Sequence, residues 1–389
     1  MAEMTRKPIP YGRQEITDAD IAKVSEVLRG EFLTQGPSIE TFEKAFANYV
    51  GSEYAVAVSN GTAALHLCAM ALDVQPGQRV ITSPITFAAS ANCVRYCGGE
   101  VWFADIDPET FILDVNEVEK LLRSKPAGFF SGIIPVDFSG MPANLEKFSK
   151  LADEFNLWII EDACHAPGAW FTDSKGVKQK SGNGKLAELA IFSFHPVKHI
   201  ASGEGGMVTT NDKAVYEKLL LLRTHGITKR TDLLKENHGG WYYEMQTLGY
   251  NYRLTDFQAA LGLSQLERAD KGLERRSEIA AKYDRAFAGT SLKLQAHVEG
   301  AFNAHHLYII QSENRKTLYD YLRTKSIFTQ VHYIPVHTMP YYRELEKTRL
   351  SFTHAEAYYA RCLSLPMFPS LTDEEQDYVI REVLSHENA

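Results

Sequence analysis

A lysine follows a short apolar run in the segment Ser193-Phe194-His195-Pro196-Val197-Lys198. The residues Leu189–Phe192 predict a buried strand that delivers it, and Gly203-Glu204-Gly205-Gly206 lets the backbone pass close to a bound group. A lysine in a desolvated pocket loses proton affinity and becomes a nucleophile for aldehydes. A single lysine is far more often a solvated surface residue, so this segment alone leaves both interpretations open.

Two adjacent acids follow another apolar run, in Ile159-Ile160-Glu161-Asp162-Ala163-Cys164-His165. One use of such an acid is to hold a protonated ring nitrogen through a charge-assisted hydrogen bond. The alternative is an Asp that caps the following turn, which is the commoner role of this pattern in isolation. His165 by itself more often indicates a packed, hydrogen-bonded histidine than a ligand.

A third segment joins the apolar run Tyr54–Val58 to the small residues Ser59-Asn60-Gly61-Thr62-Ala63. A helix that starts here leaves its first N–H groups unpaired and carries partial positive charge, which suits a phosphate. The alternative is an ordinary strand-to-helix turn with Asn60 or Thr62 as the N-cap. A phosphate cradle, an acid for a ring nitrogen and an aldehyde-binding lysine together meet the needs of pyridoxal 5′-phosphate (PLP).

The elements that must position these segments alternate between strands and helices. The predicted buried strands are Arg79–Thr82, Val101–Ala104, Gly132–Val136 and Leu157–Ile160, and the predicted helices are Ala88–Tyr96, Val115–Leu122 and Leu145–Phe155. This alternation predicts an α/β fold with a mostly parallel sheet covered by helices on both faces. Ligands of such sheets bind beyond the carboxyl ends of the strands, where the three segments stand.

Outside the sheet, Thr17-Asp18-Ala19-Asp20 predicts the cap of a helix over Ile21–Leu28. The segment Phe171–Lys185 is rich in Gly, Lys and Ser, which predicts an exposed hairpin or loop. The long helical pattern Thr255–Phe287 is a candidate hinge between a large domain and a smaller α+β domain at the C-terminus.

Composition excludes several classes of function. The chain has 389 residues, with 41 Lys and Arg against 49 Asp and Glu, and a formal charge of −8. Net acidity without a long basic run argues against nucleic acid as a partner. Five scattered cysteines and no secretory signal predict a reducing cytoplasm and neither a disulfide framework nor a metal site. No apolar run reaches the ~18–20 residues of a membrane helix, so no membrane partner is expected.

Over nearly its whole length the chain resembles the DegT/DnrJ/EryC1/StrS family of PLP-dependent sugar aminotransferases. The stretches that carry the resemblance are Leu33–Pro37, Thr86–Asn92, Arg223–Gly226 and Gly249–Leu254. Within the family, Ser193–Lys198 and Gln330–Pro335 look most like the C4 aminotransferases of pseudaminic acid biosynthesis, although Ile334 stands where these usually have Lys. The resemblance implies a fold-type I aminotransferase with a large PLP-binding domain over 1–265, including an N-terminal arm, and a small α+β domain over 266–389.

The resemblance also implies roles for single residues around the cofactor. Lys198 matches the Schiff-base lysine, and Asp162 matches the carboxylate on the pyridine nitrogen. His165 matches the position beside the ring oxygen, and Phe87 matches the aromatic residue stacked on the ring. The implied cofactor-binding residues are Gly61, Thr62, Ala63, Phe87, Asp162, His165, Ser193, Lys198 and Asn251.

The implied reaction moves an amino group from L-glutamate to C4 of a UDP-4-keto-6-deoxy-N-acetylhexosamine, with ping-pong kinetics. Asn251 matches a residue that reaches into a partner's active site, which implies a homodimer with shared sites. The implied nucleotide-sugar contacts are Tyr11, Leu33, Thr34, Asn60, Ser193, Asn251, His332 and Tyr333. The nearest alternative is a C4 or C3 aminotransferase for another UDP- or dTDP-keto sugar. A non-catalytic regulator that binds PLP or a sugar is the alternative from a different class.

Overall fold

The computed structural model describes residues 7–345 and 351–388; the predicted domains also include 1–6, 346–350 and 389, which lie outside the described residues. In the described part, helices α1 to α13 span Asp18–Leu28, Pro37–Val50, Gly61–Ala71, Ala89–Tyr96, Val115–Arg123, Leu145–Phe155, Lys213–Arg223, Asp256–Leu266, Ala269–Phe287, Arg315–Thr324, Pro340–Arg343, Thr353–Arg361 and Asp373–Glu387. Strands β1 to β17 span Ile9–Pro10, Tyr54–Val58, Arg79–Thr82, Glu100–Phe103, Gly132–Ile134, Trp158–Asp162, Trp170–Thr172, Lys178–Lys180, Leu189–Ser193, Gly206–Thr210, Ile227–Thr228, Glu244–Met245, Lys293–Leu294, Ala301–Phe302, Tyr308–Gln311, Ile327–Phe328 and Cys362–Leu365.

A seven-stranded sheet in the order β2-β10-β9-β6-β5-β3-β4 forms the centre of the molecule. Strand β10 runs antiparallel to β2 and β9, whereas the other neighbours pair in parallel. Its strands are nearly continuous apolar runs, and Val56, Ile81, Ile133 and Ile191 have no exposed surface, as expected for a sheet covered on both faces. The predicted α/β fold with a mostly parallel sheet is confirmed.

Capping residues set the starts of helices α6 and α1, and the sequence predicted the first of these starts correctly. Helix α6 begins after Asn144, which accepts the Lys147 N–H at 3.2 Å, and it ends at Asn156 in the left-handed conformation. Helix α1 begins at Asp18 rather than Ile21, because Thr17 and Asp20 form a capping box that adds a turn. Within the described residues, none of the helices has the length and apolar character that crossing a membrane would require.

The C-terminal part of the chain packs around a second core. Strands β13, β15 and β17 form an antiparallel sheet, and Ile279 of α9 and Val379 of α13 pack in the core beside it. Strand β1 joins this part because Ile9 pairs in parallel with Ile327. Helix α9 also places Leu273 in a core cluster beneath the central sheet. It therefore connects the two cores, and a domain boundary at residue 265 stays a prediction.

The long helical pattern over Thr255–Phe287 forms two helices, because α8 and α9 are separated by a break at Glu267 and Arg268. The guanidinium of Arg268 donates to Asp20 Oδ2 at 2.5 Å. Asp20 has no exposed surface, so the break brings a cation to a carboxylate that burial would otherwise leave uncompensated.

The segment Phe171–Lys185 forms the predicted hairpin from β7 and β8, but the residues directly after β8 are not exposed. Ser181, Gly182 and Asn183 are buried. The Gly182 N–H donates to Glu161 Oε2 at 2.9 Å. A buried carboxylate needs such donors, which explains why a Gly- and Ser-rich stretch is drawn into the interior.

An ion pair between α7 and α2 is largely buried and suits a stability test. Arg223 Nη1 donates to Glu43 Oε1 at 2.5 Å and to Ala57 O at 2.7 Å. We expect Arg223→Met to lower the free energy of unfolding by about 3–5 kcal/mol, because the Glu43 carboxylate stays buried without its cation. Denaturant unfolding measures this, with Arg361→Met in the exposed pair with Glu313 as the control. Equal losses in the two variants would contradict the expectation.

Candidate active site

The turn after β9 brings Lys198 to the carboxyl edge of the central sheet. Its Nζ lies 3.5 Å from His306 Nε2. Burial lowers the pKa of Lys198; the nearby Cys164 and Asp162 oppose this shift, and the charge of Arg276 adds to it. A less basic amine is neutral more often near pH 7, as the nucleophile predicted from the sequence would have to be.

Asp162 is the last residue of β6 and faces the same edge. The Ser90 hydroxyl donates to Asp162 Oδ2 at 2.6 Å, and the Cys164 N–H donates to Oδ1 at 3.2 Å. Ser90 is held in turn by Thr86, at 2.7 Å between the hydroxyl oxygens. Glu161 points to the opposite face of the sheet, since side chains alternate along a strand. Asp162 thus caps the local turn and is also oriented as a charged acceptor.

Helix α3 begins soon after β2. Neighbouring atoms leave little room for a side chain at Gly61, its first residue, or at Gly206 beside it. Asn60 is its N-cap and accepts the Ala63 N–H at 2.8 Å, which confirms the capping interpretation for Asn60. A Cβ on Gly61 would lie 3.1 Å from Ser193 Cβ, and one on Gly206 would lie 2.6 Å from the Asn60 carbonyl carbon. Gly61 and Gly206 thus let the start of helix α3 pack closely against β9 and β10, and the start of a helix is where an anion cradle is expected.

His165 connects the edge of β6 to the segment that contains Tyr333. The Ser139 N–H donates to His165 Nδ1 at 3.3 Å, so the neutral ring carries its proton on Nε2, which donates to Tyr333 Oη at 3.2 Å. Burial, and then the charge of Lys198, hold the pKa of His165 well below its usual value, which keeps the ring neutral. Two residues predicted separately, His165 and Tyr333, are thereby brought together.

The opening of the site, called its mouth below, is formed by Tyr11, His332 and Tyr333. The N-terminal arm, which contains Tyr11, lies beside Lys198 and forms one side of it. The rings of Tyr11 and His332 are 5.1 Å apart, and His332 Nδ1 lies 2.9 Å from Ser364 Oγ. A Cβ on Gly12 would lie 3.6 Å from Val197 Cβ, so the arm passes over the residue before the lysine. The structure therefore gathers Tyr11, His332 and the lysine turn, which are distant in sequence.

Four predicted site residues lie on the surface: Phe87, Leu33, Thr34 and Asn251. Phe87 is 62% exposed, and its ring lies 6.2 Å from that of Tyr333, which places it at the mouth. In the part of the chain that the structure describes, the other three form no hydrogen bond with the lysine or the acid. A backbone bridge holds Thr34 to Thr255, and another holds Asn251 to Thr224.

Sequence reasoning missed three residues that support the site: Ser90, Arg276 and His306. Ser90 lies four residues after Thr86 at the start of a helix. This spacing, which brings two side chains together, was the signal that could have indicated the pair. Arg276 lies three residues after Leu273 in the apolar stripe of α9, and a cation at such a position indicates a buried functional group. His306 carried no signal, because a histidine before a strand is usually structural.

The chemistry of the start of α3, of Asp162 and of Lys198 fits three parts of PLP: its phosphate, its ring nitrogen and its aldehyde. The start of α3 offers N–H groups to a phosphate, and the side chain of Ser193 lies against Gly61 there. Asp162 offers a carboxylate oxygen to a protonated ring nitrogen. Lys198 offers a buried amine that forms no ion pair within the described residues.

Residues 14–384 match the model of the DegT/DnrJ/EryC1/StrS aminotransferase family. The chain belongs to this family. It is 36% identical over 384 residues to the spore coat polysaccharide biosynthesis protein SpsC of Bacillus subtilis, with 96% of each chain covered. It is 35% identical over 380 residues to the UDP-4-amino-4,6-dideoxy-N-acetyl-beta-L-altrosamine transaminase of Campylobacter jejuni, with 95% of each chain covered.

Solved structures of sugar aminotransferases have the same fold as this chain. Helicobacter pylori PseC, an aminotransferase involved in the biosynthesis of pseudoaminic acid, superposes with a TM-score of 0.88 at 30% identity, covering 98% of this chain and 100% of PseC. The sugar aminotransferase Spr1654 of Streptococcus pneumoniae in its PMP form gives 0.89 at 30% identity, covering 98% and 99%, and it also has a PLP form. The protein is therefore a PLP-dependent sugar aminotransferase of fold-type I, as predicted.

Proposed function

We propose that the protein transfers the amino group of L-glutamate to C4 of a UDP-4-keto-6-deoxy-N-acetylhexosamine, in a pseudaminic acid-type pathway. The observation that carries the proposal is the pair Lys198 and Asp162 behind a mouth formed by Tyr11, His332 and Tyr333. Similarity to the Campylobacter transaminase over 95% of both chains supports this choice of sugar.

The roles proposed for the protein's own groups follow from their chemistry. Bound PLP would supply an aldehyde and a ring that accepts the electron pair of a broken C–H bond. Asp162 keeps the ring nitrogen protonated, which favours that acceptance. Lys198 takes the proton from the donor's Cα and would return it to the carbon of the cofactor's aldehyde group. Burial lowers the pKa of Lys198, which favours the free amine that this role needs. Gly61 and Ser193 hold the phosphate.

Tyr333 is proposed to orient the keto sugar. His165 donates to the Tyr333 hydroxyl oxygen, so the proton of that hydroxyl stays free for an acceptor in the mouth. Burial raises the pKa of Tyr333, so it remains a donor at neutral pH. The exposed ring of Phe87, which lies 6.2 Å from that of Tyr333, would stack on the bound cofactor.

A second candidate is a C4 or C3 aminotransferase for another UDP- or dTDP-keto sugar. The observation that favours it is Ile334, which is 49% exposed next to Tyr333 and offers no charge to a diphosphate. Similarity to SpsC, a spore coat polysaccharide biosynthesis protein, is as high as that to the transaminase, so sequence identity does not favour the sugar of the transaminase over another one.

The absorption spectrum of the PLP-loaded protein tests the proposal. We expect a visible band that L-glutamate removes and that the UDP-4-keto-6-deoxy-N-acetylhexosamine restores. A band that persists with glutamate would contradict the donor. Restoration by dTDP-keto sugars in preference to the UDP sugar would overturn the substrate and support the second candidate.

A homodimer with shared active sites is also proposed. Large apolar side chains are exposed near the site and in the segment before Asn251: Leu33 is 50%, Trp241 75% and Leu248 72% exposed. A second copy of the chain would cover them and could bring Asn251 to the partner's cofactor, which explains why Asn251 makes no hydrogen bond to Lys198 within the described residues.

Mixing two inactive variants tests this sharing. Lys198→Ala and Asn251→Ala are each expected to be inactive alone, but refolding an equal mixture should restore about a quarter of wild-type activity. Half of the dimers are then hybrids, and each hybrid holds one site with both native residues. A mixture as inactive as its components would contradict shared sites. Lys198→Ala refolded alone under the same conditions serves as the control and should stay inactive.

A cytoplasmic location is proposed as well. All five cysteines are free, and Cys68, Cys93 and Cys362 are buried as thiols. Reduced thiols are usual in the cytoplasm, where nucleotide sugars are made.

A further inference from the structure

Lys198 shares its pocket with two histidines, His306 and His199, to which the proposed reaction gives no role. The ring of His306 lies 4.3 Å from that of His165 and 5.6 Å from that of His199. Among the described residues, no group of three His, Cys, Asp or Glu side chains is placed to hold a metal ion. The nitrogens of His306 therefore need another explanation.

His306 is held in place by its backbone and is directed at the lysine. The ring is 4% exposed, and Nε2 lies 3.5 Å from Lys198 Nζ. Arg276 Nη1 donates to the carbonyl oxygens of His305 at 3.0 Å and His306 at 3.4 Å, which holds the main chain on which the ring stands. His306 Nδ1 is buried and has no hydrogen-bond partner in the described part of the chain.

The surrounding charges decide which groups donate. The groups that face this pocket are Asp162, Cys164, His165, Lys198, His199, Arg276 and His332. Burial, and then the charge of Lys198, hold the pKa of His306 well below its usual value, and His165, His199 and Arg276 add to this. The ring is neutral, so with its proton on Nδ1 it presents a lone pair at Nε2 to the ammonium of Lys198.

We propose that His306 is a positioning residue for Lys198, which accepts a hydrogen bond from Nζ and holds the amine where it exchanges a proton with the substrate. The distance of 3.5 Å is long for a hydrogen bond, and such contacts commonly tighten when the substrate is bound. The inference rests on the proposed function only in taking Lys198 as the proton carrier.

Chemical modification of Lys198 tests the contact without turnover. The full-length protein is freed of cofactor, acetylated with acetic anhydride over a range of pH, and the Lys198 peptide is quantified by mass spectrometry. Removing an acceptor destabilises the charged amine, so His306→Phe should lower the pH of half-modification by about one unit. His306→Gln, which retains an acceptor oxygen, should move it by less than half as much.

The neighbouring histidine provides a matched control. His305 adopts a φ of +49°, which Asn tolerates, so His305→Asn removes an imidazole without touching the contact. We expect this variant to modify like the wild type. Recovery of the visible band after PLP is added back shows that each variant is folded. Identical half-modification pH values for the wild type and both His306 variants would overturn the inference.

A single-turnover measurement on the loaded protein supplies the kinetic test. With saturating L-glutamate, His306→Phe should slow the loss of the visible band by about 10–100-fold. The isotope effect with α-deuterated glutamate should rise, because proton transfer becomes more fully rate-limiting, while the glutamate concentration for half-maximal rate stays unchanged. A slower rate with an unchanged isotope effect would contradict positioning. If the wild type does not respond to glutamate, the proposed donor fails and the modification experiment alone decides this inference.

Discussion

Lys198→Ala is expected to lower kcat by at least about 10⁴-fold, because in the proposed reaction this one side chain supplies both the nucleophile and the group that carries the proton. Lys198 stands in the turn after β9 at the carboxyl edge of the sheet, where burial lowers its pKa. Steady-state kinetics with L-glutamate and the UDP-keto sugar measures the loss. Wild-type turnover by this variant would contradict the assignment of Lys198.

Lys185→Ala is the matched control for that experiment. Lys185 is exposed, and among the residues that the structure describes its hydrogen bond is that of its backbone N–H, which donates to Asn183 Oδ1 at 3.0 Å. Its removal should leave kcat unchanged. Borohydride reduction followed by peptide mass spectrometry adds a check that does not depend on turnover, because the mass of the cofactor should appear on the peptide with Lys198 and on no peptide of Lys198→Ala.

Asp162→Asn is expected to lower kcat by about 10²–10³-fold, with a smaller effect on the KM values. The amide has nearly the shape of the carboxylate but no charge, so it stabilises a protonated ring nitrogen much less well. The rate at which L-glutamate removes the visible band isolates the step that depends on this charge.

Ser90→Ala separates the charge of Asp162 from its orientation. The Ser90 hydroxyl donates to Asp162 Oδ2 at 2.6 Å, so its loss should cost about threefold to tenfold while the negative charge stays in place. If Asp162→Asn were no slower than Ser90→Ala, the charge would not be the property that matters, and the role proposed for Asp162 would have to be abandoned.

The central sheet was predictable because its strands are apolar runs with marked ends. Tyr54–Val58 and helix Leu145–Phe155 have the bounds that the sequence predicted. Strands β1, β13 and β16 have two residues each, too few for any periodicity, and tertiary pairing alone defines them. The break between α8 and α9 likewise depends on a distant partner, Asp20, which helical spacing cannot reveal.

The same distinction applies to the site. Gly61 and Lys198 each follow a strand and Asp162 ends one, all at the carboxyl edge of one sheet, so local pattern and topology together predicted that they gather. Ser90 and His306 act through contacts across 72 and 108 residues of sequence, and no local pattern specifies such an approach. The role proposed for Asn251 depends on the proposed second copy of the chain, which one sequence describes only by resemblance.

The pairing of β1 with β16 has a consequence for synthesis of the protein. The strand made among the first residues, at Ile9, cannot find its partner until Ile327 has left the ribosome. At about 5–20 residues per second this takes roughly 15–65 s. During that time the arm with Tyr11 has no strand to hold it over the lysine turn, so the mouth of the site is among the last features to form, after the central sheet could already have folded.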